Sequence, residues 1–123
     1  MADTHGLVHA RWDDLALESV NPLIQRHFVV GEQVMLARIL LQRGAVVPLH
    51  SHANEQLTWV LEGALEFTIE GRTLVVRAGE VLCIPPHLPH AAVALEDTVD
   101  IDVFTPPRAD WINKTDAYLR GQK

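Results

Sequence analysis

The sequence predicts an all-β domain wrapped as a jelly-roll barrel, and three observations carry that prediction. From Val34 onward, short runs rich in Val, Ile, Leu, Thr and Phe are separated by Gly and Pro at intervals of about 8 to 12 residues. Within "ALEFTIE" the apolar Leu65, Phe67 and Ile69 alternate with Glu66, Thr68 and Glu70, so one face packs and the other meets water. That is the period of a strand. Antiparallel strands in such number usually hide their edges by wrapping up, as a sandwich or a small barrel, and a jelly roll fits best.

The elements follow in order. The stretch "WDDLALESVNPLIQRHFV" is interrupted by Pro22, which makes one long helix untenable and predicts an arm with short strands. The strands expected after it are "VMLARILLQ" (34–42), "LTWVL" (57–61), "ALEFTI" (64–69), "TLVV" (73–76), "EVLCI" (80–84), "HAAVAL" (90–95) and "VDIDVF" (99–104). "IEGRT" reads as a tight hairpin, with Gly71 free to take the positive φ that a β-carbon resists. Trp59 falls on the face opposite Thr58 and Val60, where it serves packing or a subunit contact. Pro106 and Pro107 stop the last strand, and Asp110 is placed to cap a short helical turn in the tail. With no repeat, low-complexity tract or linker, the expectation is one domain over residues 1–123.

Composition narrows the function classes. The 123 residues are 48% hydrophobic, enough for one core, and the formal charge of −6 argues against a nucleic-acid partner held by clustered Lys and Arg. The single cysteine, Cys83, has no internal disulfide partner and reads as a packing residue of a buried strand. The N-terminus lacks a signal pattern, and no apolar run approaches the roughly 18 to 20 residues that span a bilayer. A soluble cytoplasmic protein without a membrane partner is expected.

The chemistry is concentrated in "GAVVPLHSHANEQLTWVLEG". Alternate residues of a strand point the same way, so His50 and His52 can present imidazoles about 6 to 7 Å apart to one ion. The same parity makes Gln56 the third ligand and leaves Glu55 on the opposite face as a solvated or supporting group, unless a bulge at 53–54 shifts the register. His90, after the turn in "IPPHLPH", is placed as the fourth ligand. In "DIDVFTPPR", Asp102 and Phe104 share one face of a strand, and a carboxylate where a core should be apolar needs a reason. Arg108, held beyond two prolines, can reach over the mouth and grip a carboxylate with its planar fork. Plainer roles compete: an Asp102–Arg38 bridge, Phe104 as ordinary core, Arg108 as a solvated charge. His87 is expected in a loop at the rim, His5, His9 and His27 at the surface, and Glu18 and Glu32 on a solvated face.

These residues and spacings resemble the two motifs of the cupin superfamily. Gly44, His50, His52, Gln56 and Gly63 match the first, with Gln where Glu is usual. Gly79, Pro85 and His90 match the second, with His87 where Gly is usual and Ala94 where Asn is usual; the missing Gly suggests a turn that needs no positive φ. The resemblance covers residues from about 30 to 108. "HSHANEQLTWVLEG", "IPPHLPH" and "DVFTPPRADW" are more narrowly similar to the small single-domain cupins of the KdgF type, uronate ring-opening enzymes of pectin and alginate breakdown. That resemblance implies a metal held by His50, His52, Gln56 and His90, a pocket lined by Asp102, Phe104 and Arg108, and a 4,5-unsaturated uronate as substrate. Three imidazoles and an amide accept Zn, Ni, Mn, Fe or Co and leave its charge uncompensated, which favours a small anionic sugar acid. An Fe(II) dioxygenase of the quercetinase kind and a non-catalytic sugar-binding cupin are the competing readings. Exchange of edge strands between copies leads to the expectation of a homodimer.

Overall fold

The structure, a computed structural model, describes residues 6–121. After a single 3-10 turn at Trp12–Asp14, ten strands follow: β1 (Glu18–Asn21), β2 (Ile24–Val30), β3 (Met35–Leu41), β4 (Val46–His50), β5 (Glu55–Glu62), β6 (Ala64–Ile69), β7 (Arg72–Arg77), β8 (Val81–Ile84), β9 (His90–Ala94) and β10 (Thr98–Thr105). Two short helices close the chain, α1 (Ala109–Ile112) and α2 (Ala117–Arg120). The strands form a six-stranded sheet in the order β1-β2-β3-β10-β5-β8 and a four-stranded sheet in the order β4-β9-β6-β7, with antiparallel pairing throughout. This is the jelly roll read from the strand pattern.

Alternation decides what lies between the sheets. From β3 the inward residues are Met35, Ala37, Ile39 and Leu41, and from β6 they are Leu65, Phe67 and Ile69, all buried. The β6–β7 hairpin closes in two residues, Glu70 (φ 53°) and Gly71 (φ 75°), the paired positive angles that match the twist of the flanking strands. Gly63 has a different reason for being glycine. At φ 86° a β-carbon there would collide with the carbonyl oxygen of Asp97 and stand 2.5 Å from Thr98 Oγ1, so only a hydrogen fits between the β5–β6 corner and the start of β10.

The arm behaves as read, as short strands: β1 and β2 fold back at Pro22 and extend the six-stranded sheet through β3. Strand β4 is absent from the expected runs, because "VVPLH" is mostly exposed and carries Pro48, which only an edge strand tolerates. Cys83 is a correction. It is exposed, since Leu82 and Ile84 are the inward members of β8. His27 is another: it is buried, stacked near Trp12 with ring centroids 4.9 Å apart, and its Nε2 lies 3.1 Å from Arg38 Nη1. His9 is exposed as expected, whereas His5 lies outside the described residues.

The tail does not trail away. Helices α1 and α2 fold against the barrel end, tied down by an ion-pair cluster in which Arg26 meets Glu18 (3.1 Å) and Asp116 (2.7 Å), and Arg120 meets both acids at 2.8 Å. Glu18 is therefore not part of a merely solvated face. Burial alone would raise its pKa, but hydrogen bonds from Arg120, the charge of Arg26 and then Lys114 pull it down to about 2. Asp110 makes no capping bond at the start of α1. Among the described residues no helix is long and apolar enough to cross a membrane.

Candidate metal centre

The four expected ligands arrive on three segments. His50 ends β4, His90 begins β9, and the two are paired across these strands. His52 lies in the turn that follows β4, and Gln56 is the second residue of β5. The pairing of His52 with Gln56 is therefore made by the 51–54 turn and not by strand alternation. Potential ligand atoms of His50, His52 and His90 all lie within 4.8 Å of one another. Gln56 Oε1 stands 3.1 Å from His52 Nε2. Glu55 is exposed on the other face of β5.

The hydrogen bonds around the imidazoles fix their tautomers. Nδ1 of His50 is 2.8 Å from the carbonyl of Pro48, Nδ1 of His52 is 3.1 Å from that of Asn54, and Nδ1 of His90 is 2.8 Å from that of Leu88. A carbonyl only accepts, so each Nδ1 carries the proton and each Nε2 keeps its lone pair. His90 Nε2 is buried with no partner. Gln56 Nε2 donates to Thr58 Oγ1 at 2.9 Å, and Thr58 in turn donates to Asp102 Oδ1 at 2.8 Å. That chain turns the amide so that its oxygen faces the lone pair of His52 Nε2. Two acceptors face each other without a proton, an arrangement a cation relieves, so the donor set fits a divalent metal. All three rings are held neutral. Burial lowers His50 and His52 to about 4, with neighbouring histidines and the positive charge of Arg108 adding to it, and lowers His90 as well.

Asp102 and Phe104 do share the inner face of β10, but they are not alone there. Asp100 is buried on the same face, and sequence reasoning missed it although the i, i+2 spacing that marks Asp102 includes it. Burial pushes the Asp100 carboxyl well up, and the charge of Asp102 pushes it further, so Asp100 holds the proton of the pair. Burial also raises Asp102, against hydrogen bonds from Asp100 and Thr58 and the field of Arg108. The Asp102–Arg38 bridge does not form: Arg38 belongs to the outer face of β3, opposite Ile101. Phe104 is 1% exposed and meets His52 edge to face, with centroids 5.8 Å apart.

Arg108 is buried and not a surface charge. Its Nε and Nη2 bind the two carboxylate oxygens of Asp110 at 2.9 and 2.8 Å, and Nη2 also reaches the Tyr118 hydroxyl at 2.9 Å. The Tyr118 ring stacks on His50, with centroids 4.3 Å apart and planes 17° from parallel. Asn54, whose amide donates to the carbonyls of Pro106 and Pro107, ties the His52 turn to the segment that delivers Arg108. None of these tail contacts was legible as local pattern. His87 is exposed in the rim loop, but at φ 68°, so the turn does need a positive φ despite lacking Gly; its N–H donates to the His52 carbonyl at 2.7 Å.

A jelly roll whose inner face gathers three histidines and an amide defines the cupin class, and the chain belongs to the Cupin domain family, whose match runs over residues 37–105. More particularly, it is similar to the KdgF of Halomonas sp., at 34% identity over 82% of this chain and 94% of that one, with a TM-score of 0.77. The pectin degradation protein KdgF of Dickeya dadantii is 28% identical over 81% of this chain and 94% of its own length. An RmlC-like cupin from Shewanella frigidimarina is 27% identical over 83% of this chain and 93% of that one, with a TM-score of 0.78.

Proposed function

We propose that the protein is a metal-dependent enzyme that opens the ring of a 4,5-unsaturated uronate to the linear keto form in the breakdown of pectin or alginate. The observation that carries this reading is the convergence of uncharged donors, His50, His52, His90 and Gln56, beside a cavity that His50, His90 and Gln56 line together with a buried carboxylate pair. The likeness to two KdgF proteins, one bearing the name of a pectin degradation protein, supports the choice of substrate.

His50, His52, His90 and Gln56 would hold the ion, which supplies Lewis-acid polarisation of a substrate oxygen. Asp102 takes the proton of the anomeric hydroxyl as the C1–O bond of the ring breaks and C1 becomes a carbonyl. The electron pair stays on the ring oxygen, giving an enolate over O5, C5 and C4. Return of the proton to C4 leaves a ketone at C5, with no change in redox state. The neighbouring proton on Asp100 keeps the two acids at a single negative charge, which suits a group that must both accept and return a proton. Phe104 and Arg108 wall the site, and Arg108 adds the positive potential that an anionic guest meets.

The test is the loss of ultraviolet absorbance of an unsaturated uronate on addition of metal-loaded protein, with dissolved oxygen followed in parallel. Asp102→Asn should keep its metal and lose most of the turnover. Oxygen consumption, or binding with unchanged absorbance, would replace this reading by a dioxygenase or a sugar-binding protein.

We also propose that two copies pair through the outer face of the six-stranded sheet. Leu36, Leu57, Trp59 and Val81 are exposed there. The rows Leu36–Val103–Leu57 and Trp59–Val81 make the patch continuous across β3, β10, β5 and β8. Trp59→Arg should halve the mass measured by light scattering.

A further inference from the structure

Among the described residues, four buried side-chain polar atoms lack a hydrogen-bond partner: Arg26 Nη2, His90 Nε2, Asp100 Oδ1 and Trp111 Nε1. All four residues line the same cavity. An unpartnered buried donor or acceptor is costly and rare, so four around one space mark a place for a polar guest and not four separate defects. His90 Nε2 belongs to the histidine cluster, and Asp100 to the carboxylate pair. Arg26 and Trp111 have no task in the reaction described above, and both offer only donors. Burial raises the Tyr118 pKa, and the Trp111 N–H lies near enough to the Tyr118 hydroxyl to lower it, but makes no well-formed hydrogen bond to it.

Their geometry is that of one built unit. Arg26 is fully buried, and ion pairs from Nε to Glu18 at 3.1 Å and from Nη1 to Asp116 at 2.7 Å fix the guanidinium while leaving Nη2 free. Its Cζ lies 4.2 Å from the centre of the Trp111 ring. The Trp111 ring is held from another side by Phe104, edge to face with centroids 5.0 Å apart. Cross-strand register sets Arg26 and Asp100 opposite the same residue, Ile39, so Arg26 projects from β2 onto the face that carries the acids. Arg108, by contrast, has Nε and Nη2 already engaged by Asp110 and Tyr118. Arg108 Nη1 makes no side-chain bond either, but of the two buried arginines in the cavity only Arg26 has an unpartnered nitrogen that is itself fully buried.

We propose that Arg26 Nη2 and Trp111 Nε1 form the carboxylate anchor of the cavity, holding the acid group of a small sugar acid while its ring oxygens face the histidine cluster. This rests on the uronate reading above. A carboxylate offers two oxygens to two donors held together by one stacking contact, and a neutral sugar offers no comparable charge.

The experiment uses zinc-loaded protein and D-galacturonate, a saturated acid that cannot undergo the ring opening. In the wild type labelled with 15N, the indole N–H resonance of Trp111 should move on titration with galacturonate and stay in place with the same concentrations of D-galactose, while those of Trp12 and Trp59 stay in place with both. Trp111→Phe keeps an aromatic ring and deletes the donor; calorimetry should show galacturonate binding weakened about tenfold with zinc content unchanged, and Arg26→Lys should weaken it at least as much. Galacturonate binding that leaves the Trp111 resonance unmoved overturns the anchor without requiring either variant to fold. If the wild type opens unsaturated uronate and Trp111→Phe does so with an unchanged KM, the anchor alone is wrong. If the wild type neither binds galacturonate nor opens the unsaturated sugar, the anchor and the functional reading fall together.

Discussion

Thr58 offers the sharpest test of how this site works, because its hydroxyl links the amide facing the histidines to the buried acid. Thr58→Val is nearly isosteric at a position 1% exposed, so it removes hydrogen bonds without opening a cavity. Two bonds disappear, Gln56 to Thr58 at 2.9 Å and Thr58 to Asp102 at 2.8 Å. The first is neutral and contributes about 1 kcal/mol; the second, to a carboxylate, contributes about 1.5 to 3 kcal/mol. The charged form of Asp102 is the one that loses, so its pKa rises by about 1 to 2 units at roughly 1.4 kcal/mol per unit. A base that must be deprotonated to accept the anomeric proton then becomes available only at higher pH. The acid limb of the kcat/KM profile for uronate ring opening should move by at least about 1 unit toward alkaline pH, with metal content unchanged. A folded Thr58→Val protein whose acid limb coincides with that of the wild type would refute the assignment of Asp102 as the proton carrier.

Asp100 gives a stability prediction of definite sign. Its pKa is raised on folding, so the folded protein holds a proton that the unfolded chain releases above the ordinary value of 3.8, and stability falls as pH rises from there toward the folded value. Asp100→Asn removes that slope, and thermal melts should show the variant gaining on the wild type as pH rises above the ordinary carboxylate range. Gly63→Ala should destabilise the fold by more than about 2 kcal/mol, because its methyl group collides with the Asp97 carbonyl and φ is 86°; urea titration measures it. Gln56→Glu replaces a neutral ligand by an anion and breaks the polarity of the bond to Thr58. It should retain metal at least as well as the wild type, by elemental analysis, while raising KM for an anionic sugar by about tenfold or more.

The parts of this molecule that were legible in its sequence are those governed by short periods. Alternation in β6 and β10 placed Leu65, Phe67, Asp102 and Phe104 on inner faces, and the spacing of His50, His52, Gln56 and His90 marked them as a set before any coordinates. The parity argument nevertheless reached Gln56 by the wrong route, since a turn carries His52 out of the strand. It also missed Asp100, which obeys the rule that found Asp102. What stayed hidden depends on partners far apart in the chain. Arg26 and Asp116 are separated by 90 positions, and Asn54 meets the tail 52 and 53 positions later. Cys83 and His27 were misplaced for a related reason: an apolar strand says nothing of which side will be covered, and a lone histidine says nothing of the tryptophan that will cover it.

The three imidazoles that converge on the site are each clamped by a carbonyl two residues away on the same chain segment. Their orientation is thus a by-product of forming the backbone, settled before any ion enters. Capture then requires little more than shedding water from the cation, and a socket so prepared has scant means of choosing among first-row metals by shape. Which element fills it in the cell should follow the local supply, so that preparations grown in different media carry different ions on an unchanged scaffold.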